Sequence, residues 1–308
     1  MIFEYAVEPA LLNAWKDRNT ASYIKEQFGL GKNRLVSRFP RHWKKMAYSS
    51  CTAGDDMEQK RVEELITRLS EHMVIRKEYG WRLGASWREN AENEHQRVPF
   101  HAILAQDNPT ANPAVLVNDD IIDATPLWRT QSGGIVRRKA ADMAGAVRSM
   151  LCCCNTAIFI DPHFMPDNIR YRTSLQAFLF ELTALRPKSL PTRVEVHTNA
   201  EKCEIGFFCD TCNEKLPQII PAGLKVAFIR WKRRPDGQKL HNRYILTDLG
   251  GVKFQHGLDE GDDGETDDID LLNREQYELR WNQYAGDKPA FDLEKSPFEI
   301  IGQWVPPN

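Results

Sequence analysis

The sequence lacks any apolar run long enough to cross a membrane, and its first fifteen residues, MIFEYAVEPALLNAW, contain no lysine or arginine. A membrane-spanning helix needs about 20 mostly apolar residues, and a secretory signal begins with a basic segment. We therefore expect a cytoplasmic protein with no transmembrane segment.

The sequence also lacks a charge bias of either sign, because the formal net charge is -2 over 308 residues. Such a chain has no overall field that would attract a polyanion. Any site for nucleic acid must therefore come from a local basic patch.

A paired cysteine framework is absent as well, since the chain has seven cysteines. Cytoplasmic thiols are normally reduced, so we do not expect disulfides. Cys209 and Cys212 form a C-x-x-C, with Cys203 and His197 nearby in sequence. A structural zinc ion usually takes four ligands from two such pairs. The spacing leaves zinc ligands and core thiols as alternatives for these cysteines and favours core thiols.

Two regions of different character follow one another along the chain. The segment 56–76 is an amphipathic helical pattern, with Val62, Leu65, Ile66, Leu69 and Met73 on one stripe. From residue 99 onward, short apolar runs of strand length alternate with helical segments. The pattern predicts a mainly helical N-terminal region over 1–98 and an α/β domain over 99–308, with a mixed sheet flanked by helices. The acidic run 259–270 predicts an exposed, mobile loop.

Two basic patches are candidates for nucleic-acid binding. The first comprises Arg38, Arg41, Lys44 and Lys45, interleaved with Phe39, His42 and Trp43. The second comprises Arg230, Arg233 and Arg234, beside a Pro-Asp-Gly turn. Cations with aromatic rings can hold a phosphate backbone and stack on bases. The alternatives are a solvated basic loop anchored by its aromatic side chains and a charged hairpin tip.

The segment KLHNRYILTD, residues 239–248, places an imidazole and a guanidinium two residues apart. In a strand, His241 and Arg243 would share a face. An arginine there can hold the anionic oxygens of a phosphodiester, and a histidine can attack phosphorus or transfer protons. The alternative is a histidine flanking a turn beside an exposed strand cation.

The arrangement His241-x-Arg243-x4-Asp248 resembles the H-x-K-x4-D motif of the phospholipase D superfamily, with arginine in place of lysine. The order of predicted elements over residues 100–300 is also similar. The segment HNRYILTDLGGVKFQHGLDEG is most similar to the phospholipase D-like domain at the C-terminus of MIT-domain proteins and to its bacterial relatives. The resemblance implies a nucleophilic His241 that forms a phosphohistidine, a phosphate-binding Arg243, and no metal or cofactor.

The chain departs from the family pattern in two ways: a second motif is missing, and so is the G-S-x-N that usually follows the aspartate. In the family two motifs meet in one site, so a single motif predicts a homodimer or a phosphate-binding remnant. Alternatively, His256 on the next strand could supply the second imidazole within one chain. His163, which follows Asp161 at a strand end, is a further candidate for handling protons.

The function that we expect from these features is a metal-independent phosphodiesterase, with nucleic acid as the favoured substrate. Two alternatives stay open. One is a module that binds nucleic acid or a lipid head group without turnover, as the closest subgroup is thought to do. The other is a subunit of a larger assembly that docks a partner through its N-terminal region. Analogy with the bacterial relatives alone suggests a role in antiviral defence.

Overall fold

The structure, a computed structural model, describes residues 2–29, 32–51, 55–186 and 188–306 and divides into two compact units after Ser132. The predicted boundary at residue 98 is therefore wrong. Two short strands that follow residue 98, Ala102–Leu104 and Val115–Leu116, complete the sheet of the first unit.

The N-terminal unit is built on a parallel five-stranded sheet in the order β3-β2-β1-β4-β5. Its strands are β1 (Phe3–Val7), β2 (Arg34–Ser37), β3 (Met73–Val74), β4 (Ala102–Leu104) and β5 (Val115–Leu116). Its α-helices are α1 (Arg18–Gln27), α2 (Trp43–Ser50), α3 (Asp56–Glu71) and α4 (Trp87–Arg97), with 3-10 helices at Pro9–Trp15 and Asn118–Asp120.

Two hydrophobic clusters form the core of this unit. One includes Ile24 of α1 and Leu65 of α3, and the other includes Phe39 and Ala91 of α4. Neighbouring residues of β1 divide between them, with Tyr5 in the first cluster and Ala6 in the second, so helices cover both faces of the sheet. Helices do outweigh strands over residues 1–98, but they enclose a parallel sheet that the sequence pattern did not indicate.

The C-terminal unit is an α/β structure with a mixed nine-stranded sheet, which confirms the predicted fold class. The strand order is β13-β9-β8-β7-β10-β11-β12-β6, and β14 also pairs with β9. The strands are β6 (Gly133–Arg137), β7 (Thr156–Ile160), β8 (Arg193–Asn199), β9 (Lys225–Lys232), β10 (Arg243–Thr247), β11 (Gly250–Phe254), β12 (Thr266–Leu271), β13 (Asp292–Leu293) and β14 (Phe298–Ile301). The helices are α5 (Ala140–Cys153), α6 (Ile169–Thr183), α7 (Ile205–Lys215) and α8 (Arg274–Tyr284), with a 3-10 helix at Ala200–Lys202.

Alternate residues of the central strand β7 point to opposite layers of helices. Ile158 and Ile160 join a buried cluster that includes Tyr284 of α8. Phe159 stacks on Phe178 of α6, with ring centroids 5.6 Å apart. Burial on both faces explains why β7 reads as an uninterrupted apolar run in the sequence.

Candidate functional site

Most strands of the C-terminal sheet begin or end along one of its edges. Strands β7, β8 and β9 are parallel and end there, and β10, which is antiparallel to β7, begins there. Strands β11 and β6 also end at this edge, and β12 begins there. We call it the carboxyl edge. Ligand sites of open sheets usually lie outside such an edge.

Arg243 is the first residue of β10 and lies half-buried at the carboxyl edge. Its Nη1 donates to the backbone carbonyl of His241 at 3.1 Å, while its Nε is buried without a hydrogen-bond partner. No carboxylate among the described residues lies within ion-pair distance of it. A partly desolvated guanidinium with open donors is well suited to bind an anion.

Asp161 and His163 follow β7 at the same edge. The carboxylate of Asp161 is 2% exposed and accepts hydrogen bonds from the backbone N–H groups of His163 and Leu258, both at 2.8 Å. It borders a small, mainly apolar cavity lined by side chains that include Phe164 and Tyr171. Burial raises the pKa of Asp161 to about 6, against the opposing effects of these hydrogen bonds and of the Arg243 charge.

The electrostatics at His163 also connect this residue to Arg243. Burial lowers the pKa of His163, and the positive charges of Lys202 and Arg243 lower it further. The imidazole is therefore neutral at pH 7 and can accept a proton. Charge interactions thus place Asp161 and His163 near Arg243, whereas their proximity to the ring of His241 stays a prediction.

His256 follows β11 and is oriented by a buried carboxylate. Its Nδ1 lies 3.1 Å from Oδ1 of Asp267, which also accepts the backbone N–H of Gln255 at 3.0 Å. The His256 side chain is 58% exposed, whereas the Asp267 side chain is fully buried. This contact leaves Nε2 as the ring nitrogen available to a ligand.

His241 precedes β10 and is exposed, with Nδ1 3.0 Å from the carbonyl oxygen of Lys239. A carbonyl can only accept, so Nδ1 carries the proton of the neutral ring and Nε2 keeps its lone pair. Arg243 pairs with Phe254 across β10 and β11. His241 lies two residues before the β10 member of this pair and His256 two residues after the β11 member, so both emerge at the carboxyl edge.

Asp248, the last residue of the predicted motif, lies at the opposite end of β10. Its Oδ1 accepts the backbone N–H groups of Asn155 and Thr156 at 2.9 and 3.0 Å. These bonds tie the end of β10 to the beginning of β7. The predicted catalytic role of Asp248 is therefore wrong, because the full length of the strand separates it from Arg243.

The second predicted basic patch is largely neutralised. Arg230 is buried, pairs with Glu294 at 2.5 Å and donates to the carbonyl oxygens of Ala200 and Cys203. Arg234 pairs with Asp292 at 2.7 Å. The prediction of a nucleic-acid contact is wrong for Arg230, because the core encloses its guanidinium. Arg233 is exposed, and its Nε donates to the carbonyl of Gly237.

In the first predicted patch, Arg38, Arg41, Lys44 and Lys45 are exposed. Phe39 and Trp43 are fully buried and cannot stack on bases. For these two rings the alternative interpretation is confirmed, since they anchor the segment to the core. The contact of the four cations with nucleic acid stays a prediction.

An ion-pair network at the carboxyl edge was not predicted from the sequence. Arg138 pairs with Asp259 at 2.8 Å and with Glu265 at 3.0 Å, and Arg170 lies 3.7 Å from Asp259. The acidic run that predicted a mobile loop is therefore tied to the sheet, and its last part forms β12. The alternation of Ile269 and Leu271 with acidic residues was the available sequence signal for this strand, and both side chains are buried, together with Asp267.

The cysteines are all free thiols. Sγ of Cys203 accepts from Arg230 at 3.3 Å, and burial raises the pKa of Cys212. The nearby His197 accepts from the indole N–H of Trp231 through Nδ1 and contacts Glu195 through Nε2. In the part of the chain that the structure describes, no three His, Cys, Asp or Glu side chains form a group able to hold a metal ion.

Comparison with known proteins adds little to this geometry. No protein-family model and no curated protein matches the sequence. Among solved structures, TrmBL2, an archaeal chromatin protein with a novel mode of DNA binding, aligns with 79% of this chain and 80% of its own. The identity is 11% and the TM-score 0.27, and a likeness this weak supports no argument. None of the helices within the described residues has the length and apolarity needed to cross a membrane.

Proposed function

We propose that the carboxyl edge is the site of a metal-independent phosphodiesterase. The observation that carries the proposal is the half-buried guanidinium of Arg243, which has no carboxylate partner among the described residues and lies at the edge where two oriented imidazoles emerge. Arginine holds phosphate oxygens well because its planar fork can donate two parallel hydrogen bonds.

His241 would be the nucleophile of the reaction, and His256 would transfer the protons. Nε2 of His241, which keeps its lone pair, attacks phosphorus, and the bond from phosphorus to the leaving oxygen breaks. A protonated His256 gives its Nε2 proton to that oxygen. Water then gives a proton to His256 and cleaves the phosphorus–nitrogen bond, which releases the phosphate product and restores both rings. Asp267 stabilises the positive charge that His256 carries before the first step and regains in the second.

Asp161 and His163 support this arrangement without taking part in bond breaking. The Asp161 carboxylate holds the backbone of His163 and that of Leu258, and thereby connects the segments that follow β7 and β11. Asp161 also places negative charge near Arg243. That charge favours a single phosphodiester group over an extended polyanion at this position.

The test measures hydrolysis of bis(4-nitrophenyl) phosphate, DNA and RNA by the full chain in the presence of EDTA. We expect activity that survives EDTA and falls about 10³-fold in His241→Ala and Arg243→Gln. Arg274→Gln is the matched control, because Arg274 is an exposed arginine of α8 paired with Glu278. Loss of wild-type activity in EDTA, or full activity of Arg243→Gln, would refute the mechanism.

A second candidate, binding of a phosphate group without turnover, is favoured by one contact. Arg243 donates to the backbone carbonyl of His241, so the hydrogen bond between the two residues does not involve the ring. Under this alternative, titration with a phosphodiester would show binding retained in His241→Ala and lost in Arg243→Gln, with no product formed by the wild type.

A further inference from the structure

A group of cations in the N-terminal unit surrounds the ends of β2 and β3. We call it the basic surface; it comprises Arg38, Arg41, Lys44, Lys45 and Lys77. Nε of Arg38 donates to the carbonyl of Arg41 at 2.9 Å, and Nη2 of Arg41 donates to that of Lys77 at 3.1 Å. These bonds fix both guanidinium groups and leave their other N–H groups open to an anion.

The basic surface is not neutralised by the protein itself. Within the described ranges, none of its five cations takes part in an ion pair, and the sequence has no aspartate or glutamate between Glu26 and Asp55. Arg88 of the same unit, in contrast, contacts Glu92 and Asp107 at 3.2 Å. Adjacent unpaired cations repel one another, and an anionic partner would relieve that repulsion.

Aromatic rings border these cations. Tyr48 is 47% exposed and follows Lys44 by one turn of α2. The exposed His42 meets Trp81 edge-on, with ring centroids 5.9 Å apart. The half-buried Trp81 in turn packs on the buried Phe39 at 5.5 Å. Rings that are anchored on one side and exposed on the other can stack with bases.

We propose that the basic surface binds single-stranded nucleic acid, with its cations on the phosphates and the rings of His42, Tyr48 and Trp81 against bases. Unpaired cations alone would fit any polyanion, and the bordering rings favour a strand whose bases are open. An anionic membrane is the competing partner, because Leu83 is 94% exposed two residues after Trp81. The proposal does not rest on the phosphodiesterase site, which is in the other unit.

The first experiment measures binding of a fluorescent 20-nucleotide deoxythymidine strand by anisotropy at several salt concentrations. If all five cations contact phosphates, the slope of log K against log salt is about -3.5. The double variant Lys44→Gln/Lys45→Gln should reduce that slope by about 1.4 and weaken binding about tenfold at low salt. Arg68→Gln is the matched control, because Arg68 is an exposed cation of α3 already paired with Glu71; it should change neither quantity.

A second variant separates stacking from charge. Tyr48→Ala should weaken binding about tenfold without changing the salt slope, because base–aromatic stacking contributes about 1–3 kcal/mol per base. Tyr48 is exposed and is not part of the core, and circular dichroism checks that the variant is folded. Equal affinity for a 20-base-pair duplex, or an equal effect of Arg68→Gln, would overturn the proposal.

Two further measurements identify the partner and the unit. The protein should not bind vesicles of phosphatidylserine. If the wild type bound them and Leu83→Ser did not, the partner of this surface would be a membrane rather than nucleic acid. The second measurement compares strand binding by Lys44→Gln/Lys45→Gln and by Arg243→Gln, and we expect the larger loss in the first variant. If binding were full in Lys44→Gln/Lys45→Gln and lost in Arg243→Gln, the strand would occupy the C-terminal unit and the inference would fail, whereas the proposed phosphodiesterase would gain support.

Discussion

At the scale of single residues, some arginines of this chain are buried in ion pairs, whereas Arg243 has no carboxylate partner among the described residues. The neighbouring residues in the sequence do not distinguish the two cases. Arg230 is buried against Glu294, which lies 64 residues away, and Arg76 is buried against Glu4, which lies 72 residues away. Arg243 has no such partner among the described residues. The basic cluster in the sequence predicted a surface patch that includes Arg230. This prediction failed because Glu294 is distant in sequence and only the fold brings its carboxylate to Arg230.

Asp161 gives a pH-dependent test at the same scale. Its pKa is raised from 3.8 to about 6 on folding, mainly by burial. The folded state therefore holds the proton more tightly than the unfolded state, so the contribution of Asp161 to stability is fully present below pH 3.8 and is lost as pH rises through 6. The amide of Asp161→Asn does not titrate. We expect the free energy of unfolding of this variant, relative to wild type, to rise by up to about 3 kcal/mol from pH 4 to pH 7.

Urea unfolding of both proteins, followed by circular dichroism across this pH range, measures the difference. Asp142→Asn is the control, because Asp142 is a partly exposed carboxylate that pairs with Arg137. If the difference in the free energy of unfolding between the wild type and Asp161→Asn did not change with pH, Asp161 would have its ordinary pKa in the folded protein. Carbon-13 NMR of its carboxyl group checks the pKa of about 6 directly.

At the scale of elements, strand β10 carries the two ends of the predicted motif to two different edges of the sheet. A sequence motif gives spacing, and in a strand a spacing of five residues is a distance of about 17 Å. Arg243 and Asp248 therefore cannot act on one phosphate. The spacing alone was sufficient to exclude a shared phosphate contact in a strand. Only the pairing of β10 with β7 shows that Asp248 binds the backbone at the beginning of β7.

Asp248 should be a structural residue. Asp248→Ala removes an acceptor from the backbone N–H groups of Asn155 and Thr156, so we expect destabilisation by about 1 kcal/mol. Hydrogen exchange at these two amides should accelerate, while binding of a phosphodiester stays unchanged. Asp248→Asn, which keeps an acceptor oxygen, is the control. A loss of phosphodiester binding in Asp248→Ala with normal exchange would restore Asp248 to the site.

Long periodic elements were predictable from the sequence, and short ones were not. The apolar stripe of α3 is buried as predicted at Val62, Leu65, Ile66 and Leu69, but the helix ends at Glu71. Met73, assigned to the same stripe, belongs to β3, a strand of two residues that pairs with β2. So short a strand has no period of its own, and its existence depends on the neighbour to which it pairs.

At the scale of the whole molecule, the sequence predicted two regions but placed their boundary too early. Strands β4 and β5 lie after residue 98 and were assigned to the second region because their apolar runs resemble those of β7 and β8. Composition does not show which sheet a strand joins, since that depends on pairing with β1. The candidate site was predictable to the extent that histidines, an arginine and Asp161 lie at the ends of neighbouring strands, whereas the burial of Asp161 and the contact of Asp267 with His256 became visible only in the fold.

The position of both oriented imidazoles in one chain predicts that a complete site does not need a second subunit. If His241 and His256 act on the same phosphodiester within one chain, a mixture of His241→Ala and His256→Ala proteins contains no chain with both rings. Such a mixture, co-refolded to allow subunit exchange, should therefore remain inactive on bis(4-nitrophenyl) phosphate. A site made by His241 of one subunit and His256 of the other would instead regain about a quarter of the wild-type rate, because half of the dimers would be mixed and one of their two sites would hold both intact rings. Sedimentation of the wild type at the assay concentration shows whether a dimer exists, and recovery of activity in the mixture would assign the second imidazole to a partner subunit.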